Sequence, residues 1–307
     1  MRLPHWLTAF ITLWALVPST GGAREIPAYL SFADVFDHDH PEDSELTLRA
    51  LEQDAAGAGD KVVQAEILTQ IARSEGLEKR FTEAYGDLDR ASAIAPRSTR
   101  VVIYVDIERG RLLRLQGSTA QADQLFHRAF AEARAARADY LLLDAVHMIA
   151  LAEPFDASRA WTERGLRIAA TSTDRRTIHW IAVLNNNLGV AYFERGDYIR
   201  AEGAYRAALI ADREQGADVE TLVNAQFSLA QDWRKLGRIK EALALQTRLH
   251  DQGGDRALPS IDLEIAECRF AMGQFGQARY WAHMALQRGP ASFSQADLDR
   301  LKVLGER

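Results

Sequence analysis

Small residues recur along this chain in pairs twelve positions apart: Ala72 with Ala84, Gly110 with Ala122, Gly189 with Ala201, Ala230 with Ala242 and Ala266 with Ala278, with Met148 and Ala160 as a looser sixth pair. A fixed internal offset repeated six times predicts a run of similar stacked units, which bury their apolar faces against neighbours rather than in one central core. The fullest copy reads Leu188, Gly189, Tyr192, Gly196, Tyr198, Ala201, Tyr205 and Ala208. Spacings of three and four on either side of Gly196 predict two helices joined by a turn. Gly189 and Ala201 let those helices approach closely, and the leucine and tyrosines fill the gaps to the next pair.

Two punctuation signals agree with the apolar pattern. Gly117, Gly196, Gly237 and Gly273 occupy the same slot after the first helix of their copies, where a left-handed residue ends a helix at no steric cost. Pro96 and Pro290 fall after the second helix, where continuation is disfavoured. The predicted hairpins span 61–95, 100–137, 140–170, 174–215, 218–252 and 258–289. A helix over 44–56 with Ser44 as N-cap precedes them, and a helix over 294–304 started by Ser294 and Asp297 closes the chain.

The eight-position skeleton resembles the tetratricopeptide repeat over roughly residues 61–290. Successive small positions lie 38, 38, 41, 41 and 36 residues apart, longer than the usual unit of about 34, which is similar to the long-helix variant of kinesin light chain and bacterial peptide sensors. Glu75 and Arg269 stand where Tyr192 stands, Arg109 replaces Leu188, and the Met148 copy carries Pro154 and Phe155 in its turn. The resemblance implies an all-α fold, a right-handed superhelical α-solenoid of about six hairpins with capping helices. The expected organisation is a signal peptide over 1–23, a lead-in and N-terminal capping helix over 24–60, the repeat array over 61–290 and a C-terminal capping helix over 291–307.

The start of the chain has a different character. Met1 and Arg2 precede an apolar run from Trp6 to Val17 and a small, turn-forming stretch from Pro18 to Ala23. That order predicts a secretory signal peptide, since the run falls short of the roughly 20 residues of a membrane span. The mature chain then begins near Arg24, and the protein is exported, periplasmic or secreted. The competing expectation is an uncleaved segment that anchors an accessory subunit of an envelope complex. Cys268, the one cysteine of 307 residues, leaves no internal disulfide and sits at helical spacing with Ile265 and Ala266, so core packing is its expected role.

A net charge of −6 with no stripe of Lys and Arg argues against nucleic acid as partner. Motifs for a metalloprotease, a phosphate loop or a nucleophile elbow are absent, so no catalytic residue, cofactor or enzymatic activity is expected. Asp37, His38, Asp39, His40, Glu42 and Asp43 form a metal-like cluster. Its spacing suits an acidic helix start better than a ligand set, and no metal site is expected.

In the resembled family the first helix of each hairpin lines a concave groove, mainly at the fifth, sixth and ninth alignment positions. Carried onto this chain, that register selects Gln70 and Arg73, Glu108 and Arg111, Asn186 and Asn187, Phe227 and Gln231, and Glu264 and Glu267. Side-chain amides such as those of Asn185, Asn186 and Asn187 both donate and accept, which suits the unpaired backbone of an extended peptide. The paired lysines that relatives use to clamp an acidic C-terminal tail are missing. The expected function is a non-enzymatic scaffold for a protein or peptide segment, with a peptide-responsive sensor as the alternative. Self-association through a terminal hairpin stays open, as do bonding between adjacent hairpins or plain solvation for the selected residues.

Overall fold

The computed structural model describes residues 36, 40–254 and 257–306, apart from the side chain of Arg175. The signal-like start, and Asp37, His38 and Asp39 of the acidic cluster, lie outside those residues. Among the described residues the structure is all-α: α1 Pro41–Ala58, α2 Lys61–Leu77, α3 Phe81–Ile94, α4 Thr99–Leu115, α5 Thr119–Ala135, α6 Asp139–Ala152, α7 Phe155–Thr171, α8 Ile178–Glu194, α9 Tyr198–Gln215, α10 Val219–Lys235, α11 Ile239–Gly253, α12 Pro259–Ala271, α13 Phe275–Arg288 and α14 Gln295–Glu306. No helix among them is long and apolar enough to cross a membrane. The chain divides into two compact units, residues 1–101 and 102–307.

In the first unit α1, α2 and α3 pack in succession. Helix α1 starts at Pro41, three residues before the expected N-cap, and Ser44 is buried inside it with its hydroxyl against the His40 carbonyl. Pro41 needs no amide partner at the first helical position, and Glu42 and Asp43 favour the positive end of the dipole, so the helix starts earlier than Ser44. The tyrosine slot is filled here by Glu75, which is 1% exposed. Arg49 bonds it at 2.7 Å and Arg80 approaches at 3.4 Å, while Asp87 and Glu45 crowd the same guanidinium groups. Burial, with the Asp87 charge nearby, pushes the Glu75 carboxyl up to about 7; the paired arginines make the site tolerable.

In the second unit successive helices pair from α5 onward, and α4 packs on α5 through Gly110 and Phe126. The twelve-residue offset has a steric cause. A Cβ at Gly189 would stand 2.5 Å from the Tyr205 ring, and one at Gly110 would be blocked in the same way by Phe126. Their partners Ala201 and Ala122 are at most 1% exposed. The turn slot behaves as expected: Gly117, Gly196, Gly237 and Gly273 all have positive φ, and in the first unit Lys79 holds the same slot at φ 62°.

The third copy corrects the alignment. Ala160 is exposed, whereas Thr162 is 2% and Ala150 5% exposed. The true pair is therefore Ala150 with Thr162, which evens the neighbouring repeat spacings to 40 and 39 residues. Pro154 caused the slip: it ends α6 early, and α7 begins without a left-handed residue.

At the C-terminus the Ser294 amide donates to Asp297 Oδ2, and the Asp297 amide donates back to Ser294 Oγ, both at 3.2 Å. This reciprocal cap starts α14, whose Leu301 and Leu304 are fully buried against α12 and α13 residues. Cys268 is also fully buried, and burial pushes its thiol up to about 12, so the packing role holds.

Candidate functional site

The register places its candidates on the first helices of successive hairpins: α2, α4, α8, α10 and α12. In the first unit Gln70 is buried and its amide donates to Thr69 Oγ1 at 3.2 Å. Arg73 is half-buried, with its guanidinium carbon 4.6 Å from the Phe36 ring centroid.

In the second unit the candidates fall into a ladder of bonds between first helices. Arg111 of α4 donates to its own-helix neighbour Glu108 and to Asp144 of α6. Asn187 Nδ2 lies 2.8 Å from His147 Nδ1 of α6. Gln231 Nε2 donates to Glu264 Oε1 of α12 at 3.0 Å, and Arg234 grips both oxygens of the same carboxylate at 2.6 and 2.9 Å. Arg300 of α14 holds Glu267, with one bond at 2.8 Å. Two of these joints use the ninth position of one hairpin to reach the following first helix, and at the last the ninth-position Glu267 meets α14.

Electrostatics follows from those pairs. Arg111 is raised above its ordinary range: burial opposes its charge, but Asp144 and Glu108 outweigh that. Burial likewise works against the Glu267 charge, yet the Arg300 hydrogen bonds and nearby Arg234 hold it below its ordinary value. Charge-assisted, two-pronged bonds of this kind fix geometry as well as energy. Most of the row therefore sets one hairpin against the next.

Two candidates do otherwise. Phe227 is half-buried and packs on the cluster of Ala230, Leu245, Leu249, Ile261 and Ile265. Asn186 is half-buried, and its amide has no partner among the described residues. It sits one residue from Asn187, whose Oδ1 is left over after Nδ2 has bonded His147. Asn185 is turned inward to its own helix, donating to the Ile181 carbonyl at 2.8 Å.

Four contributors escaped the sequence register: Asp144, His147, Arg234 and Arg300. His147 was hidden by the misplaced third copy. With Ala150 as the small residue it moves to the fifth position, one of the groove positions, and Leu151 moves to the ninth. Arg234 and Arg300 lie off the three chosen positions, where only their length and charge hinted at reach.

No family model matches the sequence, and no curated protein matches it. Similarity appears among solved structures. A chain of the APC/C hetero-tetramer Cut9–Hcn1 superposes with a TM-score of 0.64 at 16% identity, covering 89% of this chain and 48% of that one. The apo form of RapI gives 0.66 at 10% identity over 89% and 78%. The signal transduction ATPase with a tetratricopeptide repeat sensor from Pyrococcus horikoshii gives 0.61 at 14% over 87% and 44%. The chain thus spans about half, or less, of the length of two of these three relatives. Paired helices closed on small residues at a twelve-residue offset, and the likeness to these structures, establish that the chain has the tetratricopeptide-repeat fold.

Proposed function

We propose that this protein is an exported, non-enzymatic binding scaffold that holds an extended protein or peptide segment along the first-helix row of its second unit. The observation that carries the reading is the α8 pair: the Asn186 amide is unbonded and Asn187 retains a free acceptor. Neighbouring polar side chains on the row are already engaged with one another. An extended segment offers unpaired N–H and C=O groups at regular intervals, and amides held at fixed positions meet both. The rigid joints around α8 lower the ordering cost of such capture. The likeness to a protein that forms a hetero-tetramer supports a scaffold role.

A sensor is the second reading, and the Asn187–His147 bond favours it. A ligand competing for either group changes the joint between α6 and α8 and so their angle. The likeness to a repeat sensor supports it too. Export rests on the apolar run from Trp6 to Val17 followed by small residues.

Hydrogen–deuterium exchange on the full chain, with a peptide selected from a random library, tests the binding face. Protection concentrated in α8 and α10 supports it, and protection confined to the second helices of the hairpins contradicts it. Small-angle scattering with the same peptide separates the readings: a scaffold keeps its dimensions and a sensor compacts. N-terminal sequencing of the protein recovered from the exported fraction checks cleavage near Arg24.

A further inference from the structure

Outside the first-helix row, α5 carries Asp123 and His127 four residues apart, hence on one face of the helix. His127 Nε2 stands 3.5 Å from Asp123 Oδ1. The third member comes from the irregular turn that upset the sequence register. Pro154 disfavours a helical Glu153, and Glu153 is accordingly extended at φ −90°, ψ 153° as α6 ends. That turn brings a Glu153 carboxylate oxygen to the α5 pair, and the three ligand-type atoms all lie within 4.8 Å of one another.

The charges at this spot are unbalanced. Among the described residues no Lys or Arg bridges Asp123 or Glu153, and Asp123 Oδ1 is shielded from solvent without a hydrogen-bond partner. On the first-helix row, by contrast, Asp144, Glu264 and Glu267 are each held by an arginine. Two carboxylates gathered without a guanidinium or ammonium leave a deficit of positive charge, which a divalent cation would supply. The imidazole is also oriented: the His127 ring meets Trp161 of α7 edge-on, with centroids 5.5 Å apart at 68°.

We propose that Asp123, His127 and Glu153 form a divalent transition-metal site of the zinc class, which ties the α4–α5 hairpin to the α6–α7 hairpin. One imidazole nitrogen with two carboxylate oxygens suits zinc better than calcium or magnesium, which take oxygen ligands. A tetrahedral site with bonds near 2.0 Å has ligand-to-ligand edges of about 3.3 Å. The Asp123–His127 separation of 3.5 Å already matches this, and rotation of the Glu153 side chain closes the other two edges. Water takes the fourth position. The site is independent of the peptide-binding reading and stands on different residues.

The test is zinc binding to the full chain at pH 7.5, by competition with a chromophoric chelator, using zinc chloride alone as probe. Wild type is expected to take up one zinc ion that His127→Ala, Asp123→Asn and Glu153→Gln each weaken. The loss should be at least the roughly 10- to 100-fold that follows removal of a mere outer-shell partner. Zinc should also raise the melting temperature of wild type and not of His127→Ala. Circular dichroism monitors folding; if His127→Ala loses helix, the near-isosteric Asp123→Asn and Glu153→Gln carry the test. No stoichiometric zinc, or equal affinity in wild type and these variants, overturns the site; the latter result would place binding at another cluster such as His38 to Asp43.

Discussion

Asn187 of α8 and His147 of α6 are joined across two successive hairpins at 2.8 Å. The amide nitrogen can only donate, so His147 Nδ1 accepts and the ring proton belongs on Nε2. This bond makes Asn187 a structural joint as well as a proposed ligand group. Asn187→Ala should therefore lower stability by about 1 kcal/mol, the usual net worth of such a bond. Asn186→Ala, which removes no bond among the described residues, should stay within about 0.5 kcal/mol of wild type. Chemical denaturation of both variants checks the difference, and only Asn186→Ala is a clean probe of binding.

The close approach of α8 and α9 gives a second expectation. Gly189→Ala drives a Cβ to 2.5 Å from the Tyr205 ring, an overpacking expected to cost about 1–3 kcal/mol. Gly203→Ala in the interior of α9 meets nothing within 4 Å and should stabilise by about 0.5–1 kcal/mol through helix propensity alone. Thermal melts of the two variants should move in opposite directions.

Much of the fold was legible because close helix contact admits few residue types. The offset between Gly189 and Ala201 is a steric requirement, and it survives sequence drift that turns Tyr192 into Glu75 elsewhere. The third copy was misread because Met148 and Ala150 are both buried. Only the exposure of Ala160, a tertiary fact, separates them. Glu264 and Glu267 lie on α12, a first helix, as the register places them, but their bonds to Arg234 and Arg300 were not legible, because they depend on how hairpins meet, about 30 residues apart in sequence.

Glu264 is 5% exposed and receives bonds from both Gln231 and Arg234. Its removal leaves the Arg234 guanidinium largely enclosed without its anion. Glu264→Ala should cost about 3 kcal/mol, and Glu264→Gln, which keeps one acceptor, clearly less. Denaturant midpoints at equal slope give the comparison.

Asp232 supplies the pH dependence. It is fully buried with neither carboxylate oxygen bonded. Burial first, then the charge of Glu202, pushes its pKa up to about 7, against the opposing charge of Arg238. Its ordinary value is 3.8. Between those values the folded chain binds the proton that the unfolded chain has released, so this group lowers stability as pH rises through about 4 to 7 and adds no further change above. Asp232→Asn should flatten that slope by at most about 1.4 kcal/mol per pH unit. Urea denaturation of wild type and variant at pH 5, 6, 7 and 8 measures it; identical slopes would show that Asp232 keeps its ordinary value.

The central claim is that the amide pair on α8 holds an extended segment. The direct measurement is the affinity of one library-selected peptide for wild type, for Asn186→Ala, and for Ile199→Ala as a control at a position on α9 that is 77% exposed. Loss of one or two hydrogen bonds predicts roughly tenfold weaker binding for Asn186→Ala and wild-type affinity for Ile199→Ala, with both variants melting as wild type does. Equal affinity in wild type and Asn186→Ala, or loss confined to Ile199→Ala, would contradict the account.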